Sequence, residues 1–322
     1  MKKVGVFTSG GDAPGMNAAL RAVVRVGIHH QLQMMAIESG YVGMIEGKIK
    51  PLVLRDMANI IQRGGTIIKT GRSQEFHKSE FRQKAFEHLK NHGIQALICI
   101  GGDGSFHGCR ALWKEHQIPI VGIPGTIDND LWGTDRTVGF DTATNTALDA
   151  IDRIRDTAAS HDRLFIIEVM GKNSGFIAAH VGLAGGAEEI FTPDGFATLD
   201  KTVEKLKDSI ARGKTSSIII TAEGQKPGRA YDLAEAIRKK TGWDAKVSIL
   251  GHLQRGGKPS AADRVLASRM GERAVTCLKQ GICDVMIASQ GDQILEVPLE
   301  QVLQQTKKTP LDFLLLSSIL AR

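Results

Sequence analysis

The chain has 322 residues, enough for two domains that each bury a core of their own. With 42% hydrophobic and 24% charged residues it is globular, and a net charge of +6 spread without a block of like charges excludes a nucleic-acid tail. No run approaches the roughly 18 apolar residues of a membrane span, and the apolar start Val4-Gly5-Val6-Phe7 breaks at Ser9-Gly10-Gly11-Asp12, too soon for a secretory leader.

Short apolar runs alternate with segments of helical period. In chain order the pattern predicts a strand at 4–8, a helix at 14–30, a strand at 34–38, a helix at 79–91 and a strand at 96–100. It continues with a helix at 105–115, a strand at 118–123, a helix at 142–159, a strand at 164–169 and a helix at 199–211. A strand at 217–221, a helix at 231–240, a strand at 246–250, a helix at 261–278 and a strand at 284–288 follow, and Leu314-Leu315-Leu316 reads as the packed face of a last helix. Largely apolar strands separated by helices predict an α/β fold with mostly parallel sheets covered on both faces. The cysteines form no CxxC pair, and Cys99 and Cys283 fall in apolar, strand-like runs; buried reduced thiols in a reducing, cytoplasmic compartment are expected.

Most of these strands run into glycine-rich loops, in two sets before and after about residue 140. That predicts two Rossmann-like lobes, with ligand-binding residues beyond the carboxyl ends of the strands and the active site in a cleft between the lobes. A P-loop is excluded: Gly213-Lys214-Thr215 has the right ending, but Asp208 stands where the first glycine belongs, and Gly43 to Gly47-Lys48 is one residue short. The dinucleotide fingerprint is absent too, since position 107 after Gly102 and Gly104 is His.

Three loops carry a different phosphate chemistry. Thr8-Ser9-Gly10-Gly11-Asp12-Ala13-Pro14-Gly15 leads into a helix whose first turn suits Pro14 and whose free N–H groups suit an anion. Gly101-Gly102-Asp103-Gly104-Ser105 repeats the design, with Asp103 as a hard oxygen ligand for magnesium. In Pro124-Gly125-Thr126-Ile127-Asp128-Asn129-Asp130, an extended chain turns the oxygens of Thr126, Asp128 and Asp130 to one side, where a carboxylate can take the proton of an attacking hydroxyl. Taken singly, each loop also reads as a simple turn.

These segments, with Arg63-Gly64-Gly65-Thr66, residues 151–157, 168–171 and 250–257, resemble the bacterial-type ATP-dependent 6-phosphofructokinases from Val4 to about Arg273. The resemblance implies a larger ATP-binding lobe, 1–139 with 252–304, and a smaller sugar-phosphate lobe, 140–251 with 305–322. It implies nucleotide or Mg2+ contacts at Gly11, Tyr41, Arg72, Gly102, Asp103, Gly104, Ser105 and Gly108, with Asp103 the metal ligand. It makes Asp128 the base toward the 1-hydroxyl of fructose 6-phosphate, beside Thr126 and Asp130, with Arg72 and Lys172 toward the transferring group. Sugar-phosphate contacts are implied at Met170, Gly171, Lys172, Glu223, Lys246, His252 and Arg255, and at Arg163 from a neighbouring subunit of a homotetramer. Arg21, Arg25, Arg155, Gly186, Glu188, Arg212 and Lys214 match positions that bind a regulatory nucleoside diphosphate or phosphoenolpyruvate in relatives.

Glycine at 104 and 125, where pyrophosphate-using relatives carry aspartate and lysine, favours ATP as donor. Other positions depart from the family. Lys172 and Lys246 stand where relatives have Arg, keeping the charge but losing the planar fork. His77 and Leu54 also replace usual arginines, although Arg55 adjoins Leu54, and Lys69-Thr70-Gly71-Arg72 replaces a usual Ser-Ala-Arg. The expectation is an ordinary reaction with altered substrate affinity. Pyrophosphate dependence, a broader hexose-phosphate specificity and a non-catalytic regulatory role stay as alternatives.

Overall fold

In a computed structural model that describes residues 1–161 and 164–321, the first part of the chain runs β1 (Lys3–Thr8), α1 (Met16–His29), β2 (Gln33–Ile37), α2 (Gly40–Glu46), β3 (Ile49–Leu52), α3 (Ser79–Asn91), β4 (Ala96–Gly101), α4 (Asp103–His116), β5 (Ile120–Pro124) and α5 (Phe140–His161). It continues β6 (Leu164–Val169), α6 (Phe176–Ala184), β7 (Glu189–Phe191), α7 (Leu199–Ala211), β8 (Ser217–Ala222), α8 (Arg229–Thr241) and β9 (Ala245–Ile249). The last elements are α9 (Ala261–Lys279), β10 (Val285–Gln290), β11 (Gln293–Pro298), α10 (Leu299–Gln304) and α11 (Leu311–Leu320), with short 3₁₀ turns at Leu54–Met57, Glu75–His77 and Gly251–Arg255. None of the described helices is long and apolar enough to cross a membrane.

Two compact units result. Met1–Ile127, Leu131–Thr142 and Arg255–Lys307 form the first; Asp128–Asp130, Ala143–Gln254 and Lys308–Arg322 fall to the second. The first unit holds a seven-stranded sheet in the order β11-β10-β5-β4-β1-β2-β3. Its five inner strands are parallel, and the two edges, β3 on β2 and β11 on β10, are antiparallel. Every residue of β4 is buried, as a strand covered on both faces requires. Phe7, Ile37, Leu97 and Cys99 pack toward Tyr41, Leu89, Phe106 and Leu112 of α2, α3 and α4. On the other face α1 crosses α9, closely enough that a side chain at Gly271 would meet Ala22 at 2.6 Å.

The second unit is a four-stranded, all-parallel sheet, β7-β8-β6-β9. Ile166, Phe191 and Ile219 pack with Leu206 of α7 and with Ala230 and Ile237 of α8. The α/β class and the predominantly parallel sheets agree with the reading of the sequence. The strands it missed are short or half polar: β3 is Ile-Lys-Pro-Leu with two exposed residues, β7 has three residues, and β11 is partly exposed along most of its length. The helix α6 is apolar all round and therefore carries no period.

Two local expectations are corrected. Pro14 lies in a turn before α1, because Gly15 at φ 105° delays the helix to Met16. Cys283 is half-buried and precedes β10, since Asp284 at φ 58° turns the chain before the strand begins at Val285. Cys99, Cys109 and Cys277 are buried. Burial, with the Glu296 carboxylate 3.2 Å away, pushes the Cys277 thiol up to about 12 and leaves it unreactive.

Arg82 of α3 staples two parts of the first unit. Its Nε and Nη2 donate to both carboxylate oxygens of Glu115 on α4, at 2.7 and 2.5 Å, and its Nη1 donates to the carbonyls of Phe76 and His77. The hydrogen-bonded guanidinium holds the Glu115 carboxyl below the usual glutamate range. A depressed carboxylate pKa contributes stability above the unfolded value, about 4.3, and loses it as pH falls through the folded value. Glu115→Gln should therefore lower stability at neutral pH by on the order of 1 kcal/mol, and the gap to the parent should close below about pH 4.3. Urea unfolding midpoints measured at stepped pH check this.

Candidate active site

In the first unit the carboxyl ends of β1, β4 and β5 present three loops. Ser9 N–H donates to Ile100 O at 3.0 Å, joining the first two. Gly101 has no room for a side chain, since one would meet Ser105 Oγ at 2.6 Å and Ser9 O at 2.8 Å. Asp103 opens α4 and is exposed, where the helix N-terminus favours a negative charge or an anion. The space beside Gly104 is open to 4 Å, whereas a Cβ at Gly125 would press on Ile100 at 3.0 Å and Met16 at 3.2 Å. Thr126 is buried next to Gly102, and its carbonyl accepts from Thr137 Oγ1 at 2.6 Å.

Tyr41 supports the second loop from beneath. Its ring stacks on Phe76 at 3.9 Å and meets Phe7 edge-on at 5.1 Å. The hydroxyl donates to Ser105 O at 2.5 Å, and burial pushes the phenol up, so it remains a donor. A Cβ at Gly108 would lie 2.6 Å from that ring. Tyr41 and Gly108 thus form a packed pair under the first turn of α4. Arg255 lies across the first loop: its Nη1 donates to Asp12 O at 3.1 Å, and a Cβ at Gly11 would strike it at 2.6 Å. Arg72 is exposed, and Thr70 Oγ1 two residues earlier donates to Gly10 O at 2.9 Å.

In the second unit Asp128 is buried, with 4% of its surface exposed. Its carbonyl accepts from Ser174 Oγ at 2.7 Å, and Ser174 N–H donates to Gly171 O at 2.7 Å. The segment around it is not extended. The chain bends at Ile127 and Asp128, and Asn129 takes φ 50°, a conformation asparagine tolerates. The expected alternation of oxygens at 126, 128 and 130 is therefore not how this segment is built. Ile127 faces the core and Asp130 is half-buried.

Loops beyond β6, β8 and β9 meet Asp128 through this network. Glu223 N–H donates to Val169 O and Leu250 N–H to Glu168 O. Met170 N–H donates to Gln254 Oε1 at 2.8 Å, and Lys172 N–H to Glu223 Oε1 at 3.3 Å. The buried Glu168 carboxylate accepts from Gly228 and Ala230 N–H at the start of α8. So Asp128, Met170, Gly171, Lys172, Glu223 and the His252 turn share one connected set of strand ends. Lys246 does not join them: it sits at the amino end of β9, opposite Phe165, and pairs with Asp244 at 2.5 Å. Arg163 lies outside the described residues.

The residues matched to an effector site fall in both units. In the second, Arg155 of α5 donates to the carbonyls of Gly185 and Gly186. The buried Glu188 accepts from Ile218 N–H and pairs with Lys214, and Arg212 caps α7 and donates to Ser209 Oγ at 3.3 Å. Arg21 and Arg25 lie on α1 of the first unit, half-buried and exposed respectively.

The pattern of the phosphofructokinase family matches residues 3–278. An "ATP-dependent 6-phosphofructokinase 1" of Thermus thermophilus is 54% identical over 321 residues, covering 100% of both chains. The chain belongs to the phosphofructokinase family. Among solved structures, the phosphofructokinase of Saccharomyces cerevisiae is 37% identical with a TM-score of 0.87, over 94% of this chain and 45% of the yeast chain. A pyrophosphate-dependent phosphofructokinase from Marinobacter aquaeolei is 26% identical with a TM-score of 0.85, over 97% of this chain and 86% of that one. The phosphofructokinase fold is thus common to proteins named for different phosphoryl donors, and the relatives that match the whole chain at about half identity are named for ATP.

Reading the sequence missed the buried polar residues that brace this phosphofructokinase's loops: Thr8, Asn17, Ser174 and Gln254. Each lies in or beside a glycine-rich segment, and a polar side chain in that setting was the available signal. Gly108→Ala should displace Tyr41 and break its bond to Ser105, costing about 1–3 kcal/mol as overpacking does. Tyr41→Phe, which loses only the hydrogen bond, should cost about 1 kcal/mol. Urea midpoints that rank the two the other way would refute the packing role of Gly108.

Proposed function

We propose that this phosphofructokinase transfers the γ-phosphoryl group of ATP to the 1-hydroxyl of fructose 6-phosphate, giving fructose 1,6-bisphosphate and ADP in glycolysis. The observation that carries the reading is the Ser174 bond, which ties Asp128 into the same strand-end network as Gly171, Lys172 and Glu223. A base for the acceptor hydroxyl and the groups matched to sugar-phosphate binding then belong to one body. Asp128 takes the proton as the hydroxyl attacks phosphorus, while Thr126, Arg72 and Lys172 hold the transferring oxygens. The relative from Thermus thermophilus carries the same activity in its name.

The first unit supplies the nucleotide loops and the second the sugar-phosphate loops in this reading. Open space at Gly104 suits a nucleotide, where an aspartate would introduce bulk and charge. Asp103 fits Mg2+, which keeps several waters and takes one or two carboxylates alongside phosphate oxygens. Bound there, the ion neutralises charge on the phosphates. The amino end of β9 is a strand's length, about 15 Å, from the sugar-phosphate loops. A Lys246 so placed supports an assembly in which it serves a neighbour's site, and a homotetramer is proposed. The Arg155, Glu188 and Lys214 corner is proposed to bind a nucleoside diphosphate or phosphoenolpyruvate effector, and the enzyme to act in the cytoplasm.

Asp128→Asn should slow turnover by roughly 10²–10⁴-fold, as loss of a general base does. A coupled assay with ATP, Mg2+ and fructose 6-phosphate measures it, and a variant as fast as the parent removes Asp128 from the role. Gly104→Asp should lower kcat/KM for ATP more than for pyrophosphate in the same assay; equal losses would mean that this position does not select the donor.

A further inference from the structure

The segment from Arg63 to Arg72 is irregular backbone, and the roles assigned above use only its last residue. Its own regular structure amounts to a turn closed by Lys69 N–H to Thr66 O at 3.2 Å. Gly65 at φ 63° and Lys69 at φ 58° place two residues in the left-handed region, which costs the lysine in particular. The segment runs over the end of β1, where Ser39 N–H donates to Ile68 O at 2.9 Å, and further support comes from buried side chains on that strand and on α1.

Asn17, in the first turn of α1, is 1% exposed and satisfies three backbone groups of this strap. Its Nδ2 donates to Arg63 O and to Gly64 O, each at 3.1 Å, and its Oδ1 accepts from Ile67 N–H at 2.9 Å. One carboxamide thereby uses both donors and its acceptor on a single turn, a match that only asparagine provides at this reach. Gly64 is pressed against the chain at Gly257, where a Cβ would lie 2.3 Å from the carbonyl oxygen. Farther along, Thr8 Oγ1 donates to Lys69 O at 2.8 Å and meets Thr66 Oγ1 at 3.0 Å, and Thr70 closes onto Gly10 O. The strap is therefore fixed at Asn17, crosses β1, and delivers Arg72 beside the first glycine loop.

We propose that Asn17 is a positioning residue for phosphoryl transfer, acting through the strap to place Arg72. The inference rests on the function proposed above. The chemistry needs a guanidinium held where charge builds on the transferring group, and an exposed arginine on irregular backbone is no better placed than its anchor. Asn17 itself is buried and touches no reactant.

A double-mutant cycle tests this. Asn17→Ala should lower kcat on the order of 10²-fold, the effect of misplacing a reacting group by about 1 Å. The KM for fructose 6-phosphate should change by less than roughly threefold, since the sugar-phosphate loops are untouched. In an Arg72→Ala background, Asn17→Ala should cost less than roughly threefold in kcat, because coupled residues do not add. Thr70→Val, which releases the other end of the strap, should show the same coupling to Arg72 and decides the matter if Asn17→Ala does not fold. Multiplicative losses in the Arg72→Ala background, or a lowered melting temperature with kcat intact, would overturn the proposal and leave the kinase reading standing. A parent protein that transfers no phosphoryl group from ATP to fructose 6-phosphate would overturn both.

Discussion

Irregular backbone beyond the end of a parallel strand has lost its ladder partners, and whatever is buried there must be hydrogen-bonded by something else. Here that something is a small set of buried side-chain oxygens and amides. Thr8 holds Lys69 O, Asn17 holds the turn at 63–67, Ser174 holds Asp128 O and Gln254 holds Met170 N–H, while Tyr41 and Glu168 do the same for the starts of α4 and α8. Each bond is modest in net terms, but leaving the partner unmade inside the protein is expensive.

That bracing explains a division of labour between glycines and polar residues. Gly64, Gly101 and Gly108 are places where backbone or a packed ring comes too near for a side chain. Gly104 is different, because nothing approaches it and the vacant volume faces outward. The first kind builds the loop, and the second leaves open space beside it. A phosphoryl-transfer enzyme requires both, since its catalysis is mostly positioning and electrostatic stabilisation of the group in transfer.

The sheets and most helices were legible because apolar runs of strand length and helical period are long-range averages over many residues. Edge strands were not, because β3 mixes Lys50 and Pro51 into four residues and carries no alternation. The glycine-rich loops announced themselves, yet the bend at Asp128 did not: the left-handed Asn129 is set by tertiary contacts, and an Asx-rich run is equally compatible with an extended chain. Tyr41 and Arg255 stood out in the sequence by resemblance, but their local tasks did not. One lies under a helix terminus and the other along a backbone turn.

The two units share the chain in an interleaved way, with exchanges at 127/128, 130/131, 142/143, 254/255 and 307/308. During vectorial synthesis on a ribosome, the first unit cannot be finished until residues 255–307 emerge, and by then nearly all of the second has been made. The usual order, in which an amino-terminal domain folds alone before the next appears, is unavailable to it. A partly made chain must therefore wait with β5 lacking β10 as a neighbour, a period in which a chaperone has an open sheet edge to shield.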